Sequence, residues 1–218
     1  MSKKRVMVFL TAEAALYLAF LTLDFFQLSG PHIWLKYTGV VLCCVFSCWA
    51  AGQGGERLIP VALVLTALAD LFLLVLNQFY TFGVLLFLGV QVVYLLRLRK
   101  MTGFCWWPLR LGLPVLFWSV LSAWEQITLL TLLAALYFSQ LLVNTILAWR
   151  HKQDLYFPLG LTLFVCCDLC VGIFNSAPLF PRALFRFAEV GMWFFYLPSQ
   201  VLIALSTQSR QENCHERF

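Results

Sequence analysis

Eight apolar runs of about 20 residues divide this sequence, with only short segments between them. They lie near Val6–Leu28, Ile33–Ala51, Leu58–Leu76, Tyr80–Leu98, Cys105–Ala123, Ile127–Trp149, Tyr156–Ser176 and Leu184–Ser206. A run of that length crosses the hydrocarbon of a bilayer as a helix, because a helix satisfies every backbone N–H and C=O internally. The breaks carry turn chemistry: Ser29-Gly30-Pro31, Gly52-Gln53-Gly54-Gly55, Asn77-Gln78 and Ser176-Ala177-Pro178. The predicted fold is all-α, an integral membrane bundle of eight transmembrane helices. Residues 1–206 form its single domain, and 207–218 form a polar cytoplasmic tail.

Composition agrees. Hydrophobic residues make up 62% of the 218 and charged residues 11%, against about 45–50% and about 25% in soluble domains. A soluble enzyme, a disordered chain and a nucleic-acid binder are excluded. The last needs a basic face or stripe, and none is present.

The net charge of +5 reads as topology. With the N-terminus in the cytoplasm, one side of the eight spans receives Lys3, Lys4, Arg5, Arg57, Arg97, Arg99, Lys100, Arg150, Lys152, Arg210 and Arg217. The other receives Arg182 and Arg186, while Lys36 and Arg110 fall inside spans. That asymmetry follows the positive-inside rule and predicts both termini cytoplasmic, in the cell membrane. Arg110 is expected to snorkel to the interface, and Asp24 to reach water at the outer end of span 1. Trp34, Trp106, Trp107 and Trp124 lie at span ends as an aromatic belt does.

Seven of the eight cysteines fall within spans and read as small apolar thiols, without a disulfide framework. The three histidines, His32, His151 and His215, lie in loops or the tail, so neither a metal nor another cofactor is expected.

Five of the ten acidic residues lie inside spans: Glu13, Asp24, Asp70, Asp168 and Glu189. A carboxylate at a helix centre costs about 2.5–3.5 kcal/mol on insertion scales, so each marks a candidate functional site. Topology puts Lys36, Asp70, Asp168 and Glu189 at similar depth in the outer half of the bilayer. Polar stripes run beside them: Glu189, Trp193, Tyr196 and Gln200 on span 8; Tyr137, Gln140 and Asn144 on span 6; Gln91 and Tyr94 on span 4; Thr66, Asp70 and Asn77 on span 3. Interhelical hydrogen bonding, worth about 0.6–2 kcal/mol per contact, is the plain explanation for Thr66, Tyr137, Gln140 and Asn144. For Asp70 and Asp168, chemistry is the better one. Two carboxyls sharing a low-dielectric site take different protonation states. One donates a proton while its partner stabilises positive charge or activates water. An acid-labile lipid such as a vinyl ether suits that pair, and so does proton-coupled transport.

The stretch from Ala62 to Leu98 resembles the lysoplasmalogenase (YhhN-like) family of polytopic membrane proteins. Ala69-Asp70, Phe79–Gly83 and Gln91-Val-Val-Tyr94 stand for its Gly-Asp, Phe-x-x-Gly and His-x-x-Tyr motifs. Lys36-Tyr37 is similar to its Lys-Pro, Phe164 to Asp168 to its Phe-x-x-Ser-Asp, and Tyr196 to Ala204 to its closing Tyr-x-x-x-Gln-x-Leu-Ile-Ala. The resemblance implies cleavage of the vinyl ether of a lysoplasmalogen to a fatty aldehyde and a glycerophospho-base. Asp70 and Asp168 would be catalytic, and Lys36, Gln91, Tyr94, Glu189, Tyr196 and Gln200 would bind the lysophospholipid. Lys36 would hold the phosphate as a point charge. Gln91 stands where the family has histidine, so a group titrating near neutrality is absent. The alternatives are a non-catalytic lipid-binding or lipid-homeostasis protein and a proton-coupled small-molecule transporter.

Overall fold

The structure is a computed structural model, and it describes residues 3–26, 30–103, 105–123, 127–150, 154–176 and 181–208. Trp124, His151, Lys152, Ala177-Pro178 and the tail from residue 209 lie outside the described residues. Among those described, eight α-helices follow one another: α1 Lys3–Phe25, α2 His32–Gly52, α3 Leu58–Asp70, α4 Tyr80–Thr102, α5 Trp107–Ala123, α6 Leu129–Trp149, α7 Tyr156–Asn175 and α8 Arg182–Leu205. Seven of these segments are long and apolar enough to cross a membrane, α3 together with the turn that follows it. The 17 residues of α5 are at the lower limit for a crossing.

Six helices form a closed ring in the order α2, α3, α4, α6, α7, α8. The outer two positions belong to α1, against α2 and α8, and to α5, against α6. Ring closure points one face of each of the six inward, which is where the polar stripes collect. Small residues set the tightest pairing, between α7 and α8. A Cβ on Gly160 would stand 2.8 Å from Ile203 Cγ1 and 3.1 Å from the Ser199 carbonyl, and one on Gly191 would stand 2.9 Å from Cys170 Sγ. Without a hydrophobic drive between helices in lipid, such close approach supplies the association energy.

The span containing Asp70 does not stay α-helical to its end. Leu71–Val75 form a π-helical turn, in which Leu76 N donates to the Leu71 carbonyl at 2.8 Å. Single π turns are frequent at functional sites. Asn77, expected to share the face of Thr66 and Asp70, lies beyond this turn at φ 50°, and Phe79 follows at φ 55°. Asparagine accepts that left-handed conformation readily, while an aromatic residue there is an outlier.

Three charges are placed differently from the sequence expectation. Arg110 does not snorkel: it is 3% exposed and donates to Gln140 Oε1 at 2.9 Å, Asn144 Oδ1 at 2.6 Å and the Cys105 carbonyl at 2.7 Å. Gln140 and Asn144 are thus glue, and Asn144 extends the link to the Gln91 side chain and carbonyl on α4. Arg97, counted among the loop charges, is also buried. It pairs with Asp154 Oδ2 at 2.9 Å, donates to Ser206 Oγ and O, and lies 4.0 Å from the Phe157 ring centroid. Asp154 Oδ1 accepts from Tyr156 N, so one carboxylate caps α7 and ties it to α4 and α8. Finally, Asp24 does not stand alone at the water interface, because it holds Lys36. The bundle also runs past residue 206: Thr207 is buried, and its carbonyl accepts from Glu56 N at 2.9 Å.

Candidate functional site

Helix register explains how the ring assembles its polar interior. On α3, Thr66 and Asp70 are one turn apart on the inward face; on α8, Tyr196 and Gln200 are likewise. The two helices run in opposite directions, so one hydrogen bond aligns both pairs. Tyr196 Oη donates to Asp70 Oδ2 at 2.7 Å. Across the ring α6 and α7 repeat the arrangement: Tyr137 Oη donates to Asp168 Oδ2 at 2.6 Å. The second oxygen of each carboxyl carries no hydrogen bond among the described residues.

The two pairs belong to one site. Phe164, one turn from Asp168 on α7, lies between the two tyrosines, with ring centroids 6.4 Å from Tyr137 and 5.6 Å from Tyr196. Phe87 on α4 closes the group at 5.6 Å from Tyr137 and 5.8 Å from Phe164. Each carboxyl therefore has one phenol to fix it and an aromatic wall beside it, Asp70 buried and Asp168 half-buried.

Lys36 is one aromatic ring away. Its Nζ is 2.6 Å from Asp24 Oδ2, 4.5 Å from the Trp193 ring centroid and 5.8 Å from that of Phe20. Trp193 in turn packs edge-on to Tyr196 at 5.6 Å. Glu189 is exposed on α8 and reaches Lys36 only through its field. Lys36 is therefore paired with Asp24 and flanked by two aromatic rings.

On the opposite side of the aspartates, Tyr94 and Gln200 are fully buried, and Gln91 is 1% exposed. Tyr94 Oη and both amide atoms of Gln200 have no hydrogen-bond partner among the described residues. Gln91 spends Oε1 on Asn144. Of the residues singled out in the sequence, Asp70 meets Tyr196 directly and Asp168 meets Tyr137 directly. Lys36, Gln91, Tyr94 and Gln200 form an outer circle, and Glu189 faces away.

One group escaped sequence reasoning: Asp154 pairs with Arg97, and its signal was an aspartate two residues before a helix. Glu13, marked in the sequence by its depth alone, is buried with Oε1 accepting from Cys43 Sγ at 3.2 Å. Among the described residues no cluster of three metal-ligating side chains occurs.

A model of the YhhN family matches residues 31–207. No curated protein and no solved structure matches the chain. The matched segment includes every helix of the ring and leaves α1, with Glu13 and Asp24, outside it.

Proposed function

The chain belongs to the YhhN family, and from that premise we propose that it hydrolyses the vinyl-ether bond of a lysoplasmalogen within the membrane. The observation that carries this reading is the pair of intramembrane aspartates, each fixed by a tyrosine hydroxyl and each keeping one oxygen for a substrate. A merely structural carboxyl needs a partner. It does not need a second carboxyl held the same way by a second tyrosine, with one aromatic ring between the two phenols.

The chemistry balances with these groups alone. The protonated member of the pair transfers its proton to the alkene carbon distal to the ether oxygen. The electron pair of the double bond forms the new C–H bond, and the ether oxygen shares the positive charge as an oxocarbenium ion. The ionised member stabilises that cation and takes a proton from the attacking water. The second carboxyl, now protonated, gives its proton to the glycerol oxygen as the hemiacetal C–O bond breaks, the first carboxyl takes the hemiacetal hydroxyl proton, and a fatty aldehyde and the glycerophospho-alcohol leave with the pair in its starting state. Tyr137 and Tyr196 orient the carboxyls through Oδ2 throughout.

The test uses purified protein with a vinyl-ether lysophospholipid in D2O. Protonation at carbon delivers an aldehyde with one deuterium on the carbon next to the carbonyl. Absence of aldehyde, or aldehyde without that deuterium, would sink the mechanism.

A lipid-binding role without turnover is the second reading. It is favoured by Gln91, whose amide oxygen is committed to Asn144 rather than to proton transfer.

A further inference from the structure

The aspartate pair leaves a set of buried polar groups on α3, α4 and α8 with no hydrogen-bond partner among the described residues. Thr66 is one turn from Asp70 toward the basic face, fully buried, and its Oγ1 has no partner. Gln200, one turn from Tyr196 in the same direction, is fully buried with both amide atoms unpartnered. The Asp70–Tyr196 bond sets these two residues at the same depth. Tyr94 on α4 is fully buried with no partner for Oη, and its ring packs edge-on at 5.3 Å against Phe157, the ring that carries the Arg97 guanidinium. Arg97 lies one turn further along α4 with Nε unpartnered among the described residues, while its other nitrogens hold Asp154 and Ser206.

Leaving a buried donor or acceptor unmade costs about 1–3 kcal/mol each, and native interiors keep few. Helices α3, α4 and α8 here share seven such atoms: Thr66 Oγ1, Gln91 Nε2, Tyr94 Oη, Arg97 Nε, Ser199 Oγ and both amide atoms of Gln200. The set holds donors, an acceptor and hydroxyls that do both, which one kind of ligand satisfies: water, with about 2–4 polar partners per molecule. We propose that Thr66, Tyr94 and Gln200 anchor a file of bound water that joins the aspartate pair to Arg97 at the basic face. Hydrolysis consumes one water per turnover in a medium where water is scarce, and the file delivers it. That purpose rests on the hydrolytic reading; the existence of the file does not.

Hydroxyl-radical footprinting by X-ray radiolysis tests this on the whole protein in lipid nanodiscs. Radicals form from water at the spot, so a side chain without surface exposure is oxidised only beside internal water. Tyr94 is expected to oxidise about tenfold faster than Phe46, a ring of similar intrinsic reactivity that stacks on Phe9 outside this set. Gln200→Leu is expected to lower the Tyr94 rate about threefold or more; if that variant misfolds, Thr66→Val serves instead. A Tyr94 rate as low as that of Phe46, or one untouched by either folded variant, would overturn the proposal. Oxidised Tyr94 without aldehyde release would keep the file and sink the hydrolase, and aldehyde release with dry Tyr94 would do the reverse.

Discussion

Tyr196 on α8 holds Asp70 on α3 through a 2.7 Å hydrogen bond between residues 126 apart in the chain. The contact fixes the rotation of α8 against α3, and with it the depth of Gln200 and Thr66. Its counterpart, Tyr137 with Asp168, does the same for α6 and α7. The six-helix ring is thus pinned at the level of its two carboxyls.

Removing either phenol is expected to slow the reaction more than it weakens the fold. Tyr196→Phe and Tyr137→Phe each lose a hydrogen bond to one carboxyl of the pair, worth about 0.5–1.5 kcal/mol at the protonated member and about 1.5–3 kcal/mol at the ionised one. That translates to a few-fold loss of kcat/KM in one variant and roughly ten- to hundredfold in the other. Steady-state kinetics with thermal unfolding in detergent checks it. A full loss of folding in both variants would assign the phenols to structure instead.

The Arg97–Asp154 pair is expected to behave as a buried lock. Both side chains are nearly inaccessible, so Arg97→Met or Asp154→Leu leaves a lone buried charge and costs about 3–5 kcal/mol. The double variant is expected to be more stable than either single one, since it removes the stranded charge. Urea or thermal unfolding of the four proteins closes the cycle, and additive losses would contradict it.

Asp24 is expected to restrain Lys36. The 2.6 Å pair leaves the ammonium with no charge to spare for a phosphate. Asp24→Asn should lower Tm in detergent alone, because a buried cation loses its partner. The same variant should show a larger upward Tm shift than wild type on adding an anionic lysophospholipid. A smaller shift would mean that Asp24 aims Lys36 at its ligand.

Gly160→Ala is expected to destabilise by about 1–3 kcal/mol through overpacking, because its Cβ would press on Ile203 and on the Ser199 carbonyl. Gly172→Ala, on the same helix with nothing within 4 Å, provides the control. Equal unfolding temperatures for the two would show that α7 and α8 separate more easily than their packing implies.

Much of this architecture was legible in the sequence, for identifiable reasons. Apolar runs report span positions because the bilayer imposes their length, and α7, expected over Tyr156–Ser176, is Tyr156–Asn175. Asp70 and Asp168 stood out because a carboxyl in hydrocarbon needs a reason. Lateral neighbours were not legible. Depth can be counted along a helix, but which faces meet depends on packing, so Tyr137 appeared as a stripe residue without its acid. Arg97 and Arg110 were misplaced for a related reason. Charge counting assigns a residue to a loop or an interface by position alone, whereas both turn inward to partners contributed by other helices. Asp24 was read as wet because it is near a span end, yet Lys36 is at the same end of the neighbouring helix.

Aldehyde release from a vinyl-ether lysophospholipid by wild type, Asp70→Asn and Asp168→Asn, all purified and folded, tests the central claim most directly. Release by wild type, with a fall of about hundredfold or more in each variant, is the predicted result, since each carboxyl performs a separate proton or charge task. Release by either variant at the wild-type rate, or none from folded wild type, would contradict it.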